Sequence, residues 1–207
     1  MIKDSFDKKS ETLFDEFNFN VLNDNDYKED SVREDIVTPI LNALGYSSGG
    51  DHKIIRSKSI TDPAVYFGTK KRKINIIPDY ILETKDNIKW ILDAKSPNEK
   101  ITTGKNVEQA YSYAIHPEIR ADFYALCNGR EFVLFNIKNV EPILQFNLVN
   151  FKNEWKNIYT NLSPIHLANT NLKDFNPDFG IFLYKIDSGG EPFKVPMYIN
   201  NIYNLNE

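Results

Sequence analysis

Two aspartates and a lysine form the arrangement with the clearest chemical potential in this sequence. Asp79 lies in an isoleucine-rich stretch, 74–83, and Asp93 lies near the end of a second apolar stretch, 88–95. The turn-forming residues 84–87 between the two stretches predict a β-hairpin. With the turn centred in that segment, strand pairing places the two aspartates nearly opposite each other.

Alternation along the second strand places Asp93 and Lys95 on one face and the apolar residues Trp90, Leu92 and Ala94 on the other. Two carboxylates beside a lysine suit a phosphodiesterase that uses a divalent metal. Mg²⁺ prefers oxygen ligands and is held by one or two carboxylates, waters and phosphate oxygens. Asp79 and Asp93 would supply the carboxylates and the Ala94 backbone carbonyl a further oxygen, with Mn²⁺ as a substitute ion. Lys95 would position the attacking water or help to deprotonate it.

The same charges also fit a simpler interpretation, in which they lie on an ordinary solvent-exposed face of the hairpin. An aspartate two residues before a lysine is a common pattern, and so is a proline before an aspartate. The position of the charges at the end of an otherwise apolar strand favours a site at the mouth of the sheet. The residue pattern alone leaves both interpretations open.

The rest of the chain predicts an α/β protein with a mixed central sheet flanked by helices. The clearest helix spans 31–44, with Pro39 expected to kink it and Gly45 to end it. Asn128-Gly129 predicts a tight hairpin between two strands. The other predicted elements are an opening helix over 4–20, a helix over 103–116, strands over 121–127, 131–137 and 142–149, and a helix over 150–162, with none predicted over about the last 40 residues.

Composition limits the class of protein. The chain has 207 residues, of which 41% are hydrophobic and 26% charged, which excludes a disordered or fibrous protein. Its single cysteine fits a reducing cytoplasm. No apolar run approaches the roughly 20 residues of a membrane-spanning helix, and no signal peptide is expected, so we expect a cytoplasmic protein without a membrane partner. We divide the chain into an N-terminal helix and linker (1–28), a core (29–149) and a C-terminal helix with an irregular extension (150–207).

Four motifs, in order, resemble those of the PD-(D/E)XK nuclease superfamily. More narrowly, they resemble the N-terminal nuclease domain of the R (HsdR) subunit of type I restriction enzymes, over roughly residues 30–137. Each motif is weak alone, and the order and spacing make the set specific. The motifs are REDIVTPILNALGY at 33–46, IIPDYIL followed by WILDAKSP around the hairpin, VEQAYSYA at 107–114 and LCNGREFVLF at 126–135.

The resemblance implies a restriction-endonuclease-like core in which Asp79, Asp93 and Lys95 are catalytic. It also implies that Glu34 is a helix acid that approaches the metal directly or through water. The family usually has glutamate at the position of Asp93, so the shorter side chain alters the metal geometry. The residues themselves offer Glu34 a second role, because Ser31 and Glu34 have the spacing of a capping box at a helix start.

Gln109 and Tyr113 are the second pair that the resemblance assigns to the site. Their i, i+4 spacing places them on one face of the predicted helix. The resemblance implies that they support the catalytic site and the DNA backbone. The alternative is a surface glutamine beside a packed tyrosine.

A basic stretch, 49–73, shows no clear periodicity and no confident element. It holds seven basic residues against Asp51 and Asp62, in a chain of net charge −4. Clusters of lysine and arginine supply the sequence-independent part of DNA affinity, although such a stretch could equally serve solubility. The candidate DNA-binding residues are Lys53, Arg56, Lys58, Lys70, Lys71, Arg72 and Lys73.

We therefore expect a Mg²⁺-dependent endodeoxyribonuclease of the type I site-specific class, acting on double-stranded DNA. The resemblance implies a motor domain and modification and specificity subunits as partners. ATP would act only through that motor, since no G-x-x-x-x-G-K-[ST] phosphate loop occurs in this sequence. An excised domain and a stand-alone relative both fit. Two alternatives stay open: a nuclease-fold module for DNA binding or assembly that is inactive alone, and a nuclease for RNA or a particular DNA structure.

Overall fold

The computed structural model describes residues 8–61, 65–67, 70–72 and 75–173, with side chains over 10–60 and 76–168. The chain divides into two compact units, Asp7–Ala168 and a second formed by Met1–Phe6 with Asn169–Glu207. Nearly all of the second unit lies outside the described residues, so the fold given below is that of the first unit. The sequence-based domain boundaries stay a prediction.

Ten strands lie in the described part of the chain, and six of them form one mixed sheet. The strands are β1 (Lys53–Arg56), β2 (Ile60–Thr61), β3 (Val65–Phe67), β4 (Lys70–Arg72), β5 (Asn75–Ile76), β6 (Tyr80–Glu83), β7 (Lys89–Ala94), β8 (Phe123–Cys127), β9 (Glu131–Asn136) and β10 (Leu144–Asn147). The large sheet has the order β1-β6-β7-β8-β9-β10, while β2 pairs with β5 and β3 with β4. Only β7 and β8 run parallel in the large sheet.

The helices before, between and after these strands complete an α/β architecture. They are α1 (Lys8–Glu11), α2 (Glu29–Val32), α3 (Thr38–Ala43), α4 (Lys105–Ala114), α5 (Phe151–Leu162) and α6 (Pro164–Lys173), with 3-10 turns at Phe19–Asn23 and Leu148–Asn150. The mixed sheet flanked by helices confirms the predicted fold class. Helix α4 connects β7 to β8, as a parallel pair requires. Within the described ranges, no helix is both long and apolar enough to cross a membrane.

Strand β7 is buried on both faces, which places the hairpin at the centre of the core. On one face, the Trp90 indole N–H donates to the Tyr46 hydroxyl at 2.9 Å, and that hydroxyl donates to the Leu162 carbonyl at 2.9 Å. On the other face, Ile91 packs in one cluster with Ala110 of α4. The face of β7 that carries Ile91 therefore packs against α4.

The opening helix predicted over 4–20 is wrong in its described part. Helix α1 has only four residues, turns follow it, and a 3-10 turn begins at Phe19. The Asn18 side chain accepts a hydrogen bond from the Asn20 N–H at 3.1 Å, a local bond that competes with a continuous helix. Phe14 and Phe17 still pack edge to face, so the apolar positions serve the core without a long helix.

The helix predicted over 31–44 starts two residues earlier and contains a π-helical segment, Arg33–Val37, between α2 and α3. The Thr38 N–H donates to the Arg33 carbonyl, five residues back. Pro39 has no N–H and crowds the carbonyl four residues before it, and the wider π turn accommodates both effects. The helix therefore continues through the proline and ends before Gly45, whose φ is +97°.

The strand predicted over 74–83 is wrong as a single strand. Its first part, β5, pairs with β2 in a separate ladder, and its second part, β6, belongs to the large sheet. Pro78 lies between the parts and has no N–H to give to a ladder. The hairpin of β6 and β7 is confirmed, with Tyr80 opposite Leu92. The stretch 49–73, where no element was predicted, contains β1 and β2, which pair with the remote strands β6 and β5, and the short local pair of β3 and β4.

The hairpin predicted at Asn128-Gly129 is confirmed between β8 and β9, where Cys127 pairs with Phe132. Gly129 has φ +82°, a conformation that glycine adopts without strain. A Cβ atom at Gly129 would lie 2.9 Å from a Leu22 methyl carbon. The glycine thus allows the N-terminal segment to pack onto the turn.

Candidate active site

Asp79 lies one residue before β6, where its carboxylate reaches across to β7. The Ala94 N–H donates to one Asp79 oxygen at 2.8 Å, and Arg33 Nη2 donates to the other at 2.5 Å. The observed register continues from Tyr80 opposite Leu92, so Asp79 lies opposite Asp93, one step beyond the paired strands. Both oxygens of this carboxylate are therefore bound by groups of the chain.

Asp93 and Lys95 lie at the end of β7 and form an ion pair. The Lys95 N–H donates to the Cys127 carbonyl at 2.9 Å, which extends the parallel pairing with β8 past the strand end. Asp93 is 2% exposed, Lys95 9% and Asp79 9%. The interpretation of these charges as a solvent-exposed hairpin face is therefore wrong. Buried charges are costly and are retained where they are paired or functional.

The pKa of Asp79 is raised to about 6, mainly by burial and next by the charge of Asp93. The hydrogen bond from Ala94 and the charge of Arg33 act in the opposite direction. A carboxyl group whose pKa is higher in the folded protein than in the unfolded chain binds its proton more readily when folded. Its contribution to the free energy of unfolding therefore falls as pH rises from about 4 to about 6.

We expect Asp79→Asn to raise the free energy of unfolding by about 1–3 kcal/mol at pH 8. The amide removes a buried charge, and its oxygen can still accept the Ala94 N–H. At pH 4 the gain should nearly vanish, because Asp79 is then protonated in the wild type. Urea unfolding in EDTA at both pH values measures the difference. Asp86→Asn, at the exposed tip of the same hairpin, is the control, and an equal gain for Asp79→Asn at both pH values would contradict the prediction.

Lys95 is an ammonium group at neutral pH. Burial lowers its pKa, but the nearby charges of Asp93, Glu29 and Asp79 together raise that pKa above its ordinary value. The ammonium can donate hydrogen bonds to a water molecule or a phosphate oxygen, but it cannot accept a proton. Of the two roles expected for Lys95, this site supports orientation of the water.

Arg33 and Glu29 are site residues that the sequence motifs missed. Arg33 binds Asp79 and also pairs with Glu29 and Asp30, one helical turn back. The charge of Glu29 acts on both Asp79 and Lys95. The only signal in the sequence was the i, i+4 spacing of Glu29 and Arg33, which favours a helical ion pair.

Glu34 lies elsewhere on the helix surface. It is exposed, and the described contacts join the site to Arg33 rather than to Glu34. The alternative role of Glu34 in a capping box is wrong, because the helix starts at Glu29 and Ser31 lies inside it. Its assignment as the helix acid stays a prediction, and Glu29 is the helix carboxylate whose charge acts on the site.

Gln109 and Tyr113 form a pair on α4. The Gln109 amide donates to the Tyr113 hydroxyl at 2.6 Å, with Gln109 exposed and Tyr113 buried. The pKa of Tyr113 is raised by burial and by the charge of Asp93. The structure therefore brings the tyrosine close to the carboxylates, and the glutamine extends the pair toward solvent.

The oxygen atoms at this site fit a sparsely ligated Mg²⁺ ion. Among residues with described side chains, no group of three or more His, Cys, Asp or Glu is placed to hold a metal. Mg²⁺ commonly takes only one or two carboxylates and completes its shell with water and phosphate. Asp93 Oδ2 is buried and pairs with the Lys95 ammonium, and because a carboxylate oxygen has two lone pairs, one stays available to a metal ion. The Ala94 carbonyl lies on the Asp79 side of the strand, because the N–H and C=O of one strand residue point the same way.

The candidate DNA-binding residues lie on β1, β4 and the segments next to them. Arg56 donates to the Ser48 hydroxyl at 2.8 Å and lies 5.8 Å from the centre of the Tyr80 ring. Lys53 and Lys58 are exposed. Three of the other candidates, Lys70, Lys71 and Arg72, form β4, and Lys73 lies outside the described residues.

The mixed six-stranded sheet with flanking helices fits a restriction-endonuclease-like α/β fold. No protein-family model matches the chain, and neither does any curated protein. A fragment assigned to the HsdR subunit of a type I restriction enzyme from Vibrio vulnificus YJ016 is 27% identical with a TM-score of 0.44, over 57% of this chain and 22% of that one. A DrdV–DNA complex is 17% identical with a TM-score of 0.45, over 76% of this chain and 14% of that one. The chain thus spans less than a quarter of the length of each of these two chains.

Proposed function

We propose that this chain is a Mg²⁺-dependent endonuclease domain of the PD-(D/E)XK type, which hydrolyses phosphodiester bonds in double-stranded DNA. The observation that carries the proposal is the joint burial of Asp79, Asp93 and Lys95 at one end of a hairpin. Two opposed carboxylates in a buried position are costly to a fold, and a carboxyl group with a raised pKa, such as that of Asp79, is typical of a functional site. The motor and the modification and specificity subunits of a type I enzyme are proposed partners.

Each residue has a proposed role in the reaction. Asp79, Asp93 and the Ala94 carbonyl would hold the ion, and Mg²⁺ when bound polarises the scissile phosphate and acidifies a bound water. The Lys95 ammonium orients that water and stabilises negative charge as it develops on the phosphate. Tyr113 is buried, and the charge of Asp93 raises the pKa of its hydroxyl, so its ring would limit the access of bulk water to the carboxylates.

Arg33 is proposed to keep the Asp79 carboxylate in position between catalytic events. Its guanidinium lies between the carboxylates of Asp79 and Glu29. A cation in that place offsets the repulsion between buried acids. Binding of a metal ion would relieve the same repulsion, so Arg33 and the metal act on Asp79 in the same direction.

A second candidate function is a nuclease-fold module for DNA binding or assembly that is inactive alone. The observation in its favour is that both carboxylates are already paired with cations of the chain, Asp79 with Arg33 and Asp93 with Lys95. These ion pairs compete with a metal. In this case, metal-dependent turnover would require partner subunits that rearrange the site.

The experiment that separates the two functions is incubation of the purified chain with supercoiled plasmid, in Mg²⁺, in Mn²⁺ and in EDTA. The proposed nuclease converts a molar excess of plasmid to nicked or linear DNA only with a metal. Structured RNA in a parallel reaction tests the remaining alternative substrate. Absence of turnover with every substrate and metal would reject an autonomous nuclease and favour the binding module.

A further inference from the structure

Strand β1 is an edge strand of the large sheet, and its pairing continues beyond that sheet. Within the sheet, Arg56 pairs with Tyr80. Four residues farther along, Ile60 of β2 pairs with Ile76 of β5. In both ladders, one residue forward along β1 and β2 corresponds to one residue back along β5 and β6. The two ladders therefore share one register and belong to one antiparallel ribbon.

The ribbon leaves the large sheet at Asp79. The Ser57 N–H donates to the Asp79 carbonyl at 3.0 Å, in the same register as the ladders on either side. Ser57 has φ +47°, a conformation that is uncommon for a residue other than glycine and that bends the strand here. The backbone that holds the catalytic carboxylate is therefore also the base of the ribbon.

Strands β3 and β4 form the outer described part of the ribbon, with Val65 opposite Arg72. In the sequence, β3 and β4 lie between β2 and β5, so this pair follows the inner ladder along the chain. We name the described residues 57–61, 65–67, 70–72 and 75–79 the β-arm. The chain thus leads from the catalytic backbone through two antiparallel ladders to β4.

Positive charge is concentrated on the β-arm. Strand β4 consists entirely of basic residues, Lys70, Lys71 and Arg72, and Lys58 near the base is exposed. The whole chain, in contrast, has a net charge of −4. An attraction for a polyanion must therefore be local, and the β-arm is where the sequence places it.

We propose that the β-arm lies along duplex DNA and that β4 contacts its phosphates at a distance from the scissile bond. A two-stranded ribbon is one of the elements whose width suits the major groove. The inference rests on the proposed function for the position of the scissile bond. It adds a second region that contacts DNA and the distance between that region and the scissile bond. If the basic residues lay instead on a short loop, no phosphate contact at a distance from the scissile bond would be expected.

The reach of the β-arm sets that distance. Lys70 and Asp79 are nine residues apart in the sequence, so the strand between them spans at most roughly 30 Å. Duplex DNA rises 3.4 Å per base pair, so the basic strand can contact phosphates up to about nine base pairs from the catalytic site. This is an upper limit on the distance, so the contact is lost when a duplex is too short to extend from the catalytic site to β4.

The test uses the full chain and a triple variant, Lys70→Gln, Lys71→Gln and Arg72→Gln. Binding to fluorescent duplexes of about 8 and about 24 base pairs is measured in EDTA, so that no cleavage is needed for the result. We expect the variant to bind the long duplex at least ten-fold more weakly. Its slope of log affinity against log salt should also fall by about 2 to 3, close to one unit per lost phosphate contact.

A matched control makes the same change in charge outside the β-arm. Lys138→Gln, Lys152→Gln and Lys156→Gln alter three exposed residues. This variant should keep the wild-type salt slope, and both variants should bind the short duplex almost equally. Equal weakening of the two variants, or a wild-type affinity independent of duplex length, would overturn the proposal.

Plasmid cleavage and the salt slope of DNA binding together distinguish failure of the β-arm proposal from failure of the nuclease proposal. If plasmid is not cleaved but the β-arm variant loses its salt slope, the β-arm proposal stands and the binding-module function leads. If plasmid is cleaved but the slope is unchanged, the β-arm proposal fails and the nuclease stands. A wild-type chain that does not bind duplex at all would overturn the β-arm proposal whatever the cleavage result. Thermal unfolding by circular dichroism shows whether each variant is folded.

Discussion

Replacing Asp93 with asparagine is expected to lower the rate of metal-dependent plasmid cleavage by on the order of 1000-fold. The amide keeps the size of the side chain, but it removes one of the two negative charges proposed to hold the metal ion. Asp93 is 2% exposed, so water cannot easily take its place as a ligand. Single-turnover cleavage in Mg²⁺ measures the loss, and duplex binding in EDTA should be unchanged.

The control for this loss is Asp86→Asn, the same substitution at the exposed turn of the hairpin. It should leave the cleavage rate within a factor of about two, because surface substitutions rarely change a distant site. Cleavage by the Asp93→Asn variant within ten-fold of the wild type would contradict the assignment of Asp93. A comparable loss in both variants would point to a contaminating nuclease or to general instability.

Replacing Lys95 with methionine is expected to destabilise the protein by about 3 kcal/mol at pH 7, because it leaves the buried Asp93 carboxylate without its cation. The second replacement, Asp93→Asn in the same chain, should restore most of that loss. The pair would then show a coupling energy well above that of a surface ion pair. Urea unfolding of the wild type, both single variants and the double variant gives the complete cycle.

Lys89→Met is the matched control for that cycle. Lys89 pairs with Glu83 at 3.8 Å on the same hairpin, but both side chains are about a quarter exposed. Its loss should cost less than about 1 kcal/mol, as for other exposed pairs. A Lys95→Met variant as stable as Lys89→Met would show that the buried pair contributes no more than a surface one. The additive behaviour of Asp93→Asn and Lys95→Met would also contradict the prediction.

The sequence was sufficient for the hairpin and for the approach of the two aspartates. Turn residues between two apolar stretches predict antiparallel pairing, and alternation then fixes which residues share a face. The register follows within one residue, since Asp79 lies opposite Asp93 in the structure. These are local relations, which short patterns encode well.

Contacts between remote residues could not be predicted in the same way. Arg33 and Asp79 are 46 positions apart, and no spacing rule says which face of a helix will meet a strand end. The family resemblance implies Glu34 as the helix acid, and that assignment stays a prediction. In the structure, the charge of Glu29 acts on Asp79. The ladders of β1 with β6 and of β2 with β5 also join remote residues, and no local period in the sequence marks them.

The burial of these charged side chains could also not be predicted from the hydrophobicity of the sequence. Aspartate and lysine side chains are usually exposed, so an Asp-x-Lys pattern predicts exposure. In the structure, α4 packs against the face of β7 that carries Ile91, and the same packing excludes water from Asp93 and Lys95. The tertiary position of one helix thus decides whether these charges are ordinary or reactive.

Cys127 gives the protein an internal reporter of strand opening. It is the only cysteine of the chain and lies in β8 between β7 and β9. Burial raises the pKa of its thiol to about 12, so alkylating reagents require the sheet to open before they react. Since Cys127 pairs with Ala94, its labelling rate would follow the separation of the strands that hold the candidate site. The native sequence therefore allows local opening at this site to be timed, with and without DNA, and no probe has to be introduced.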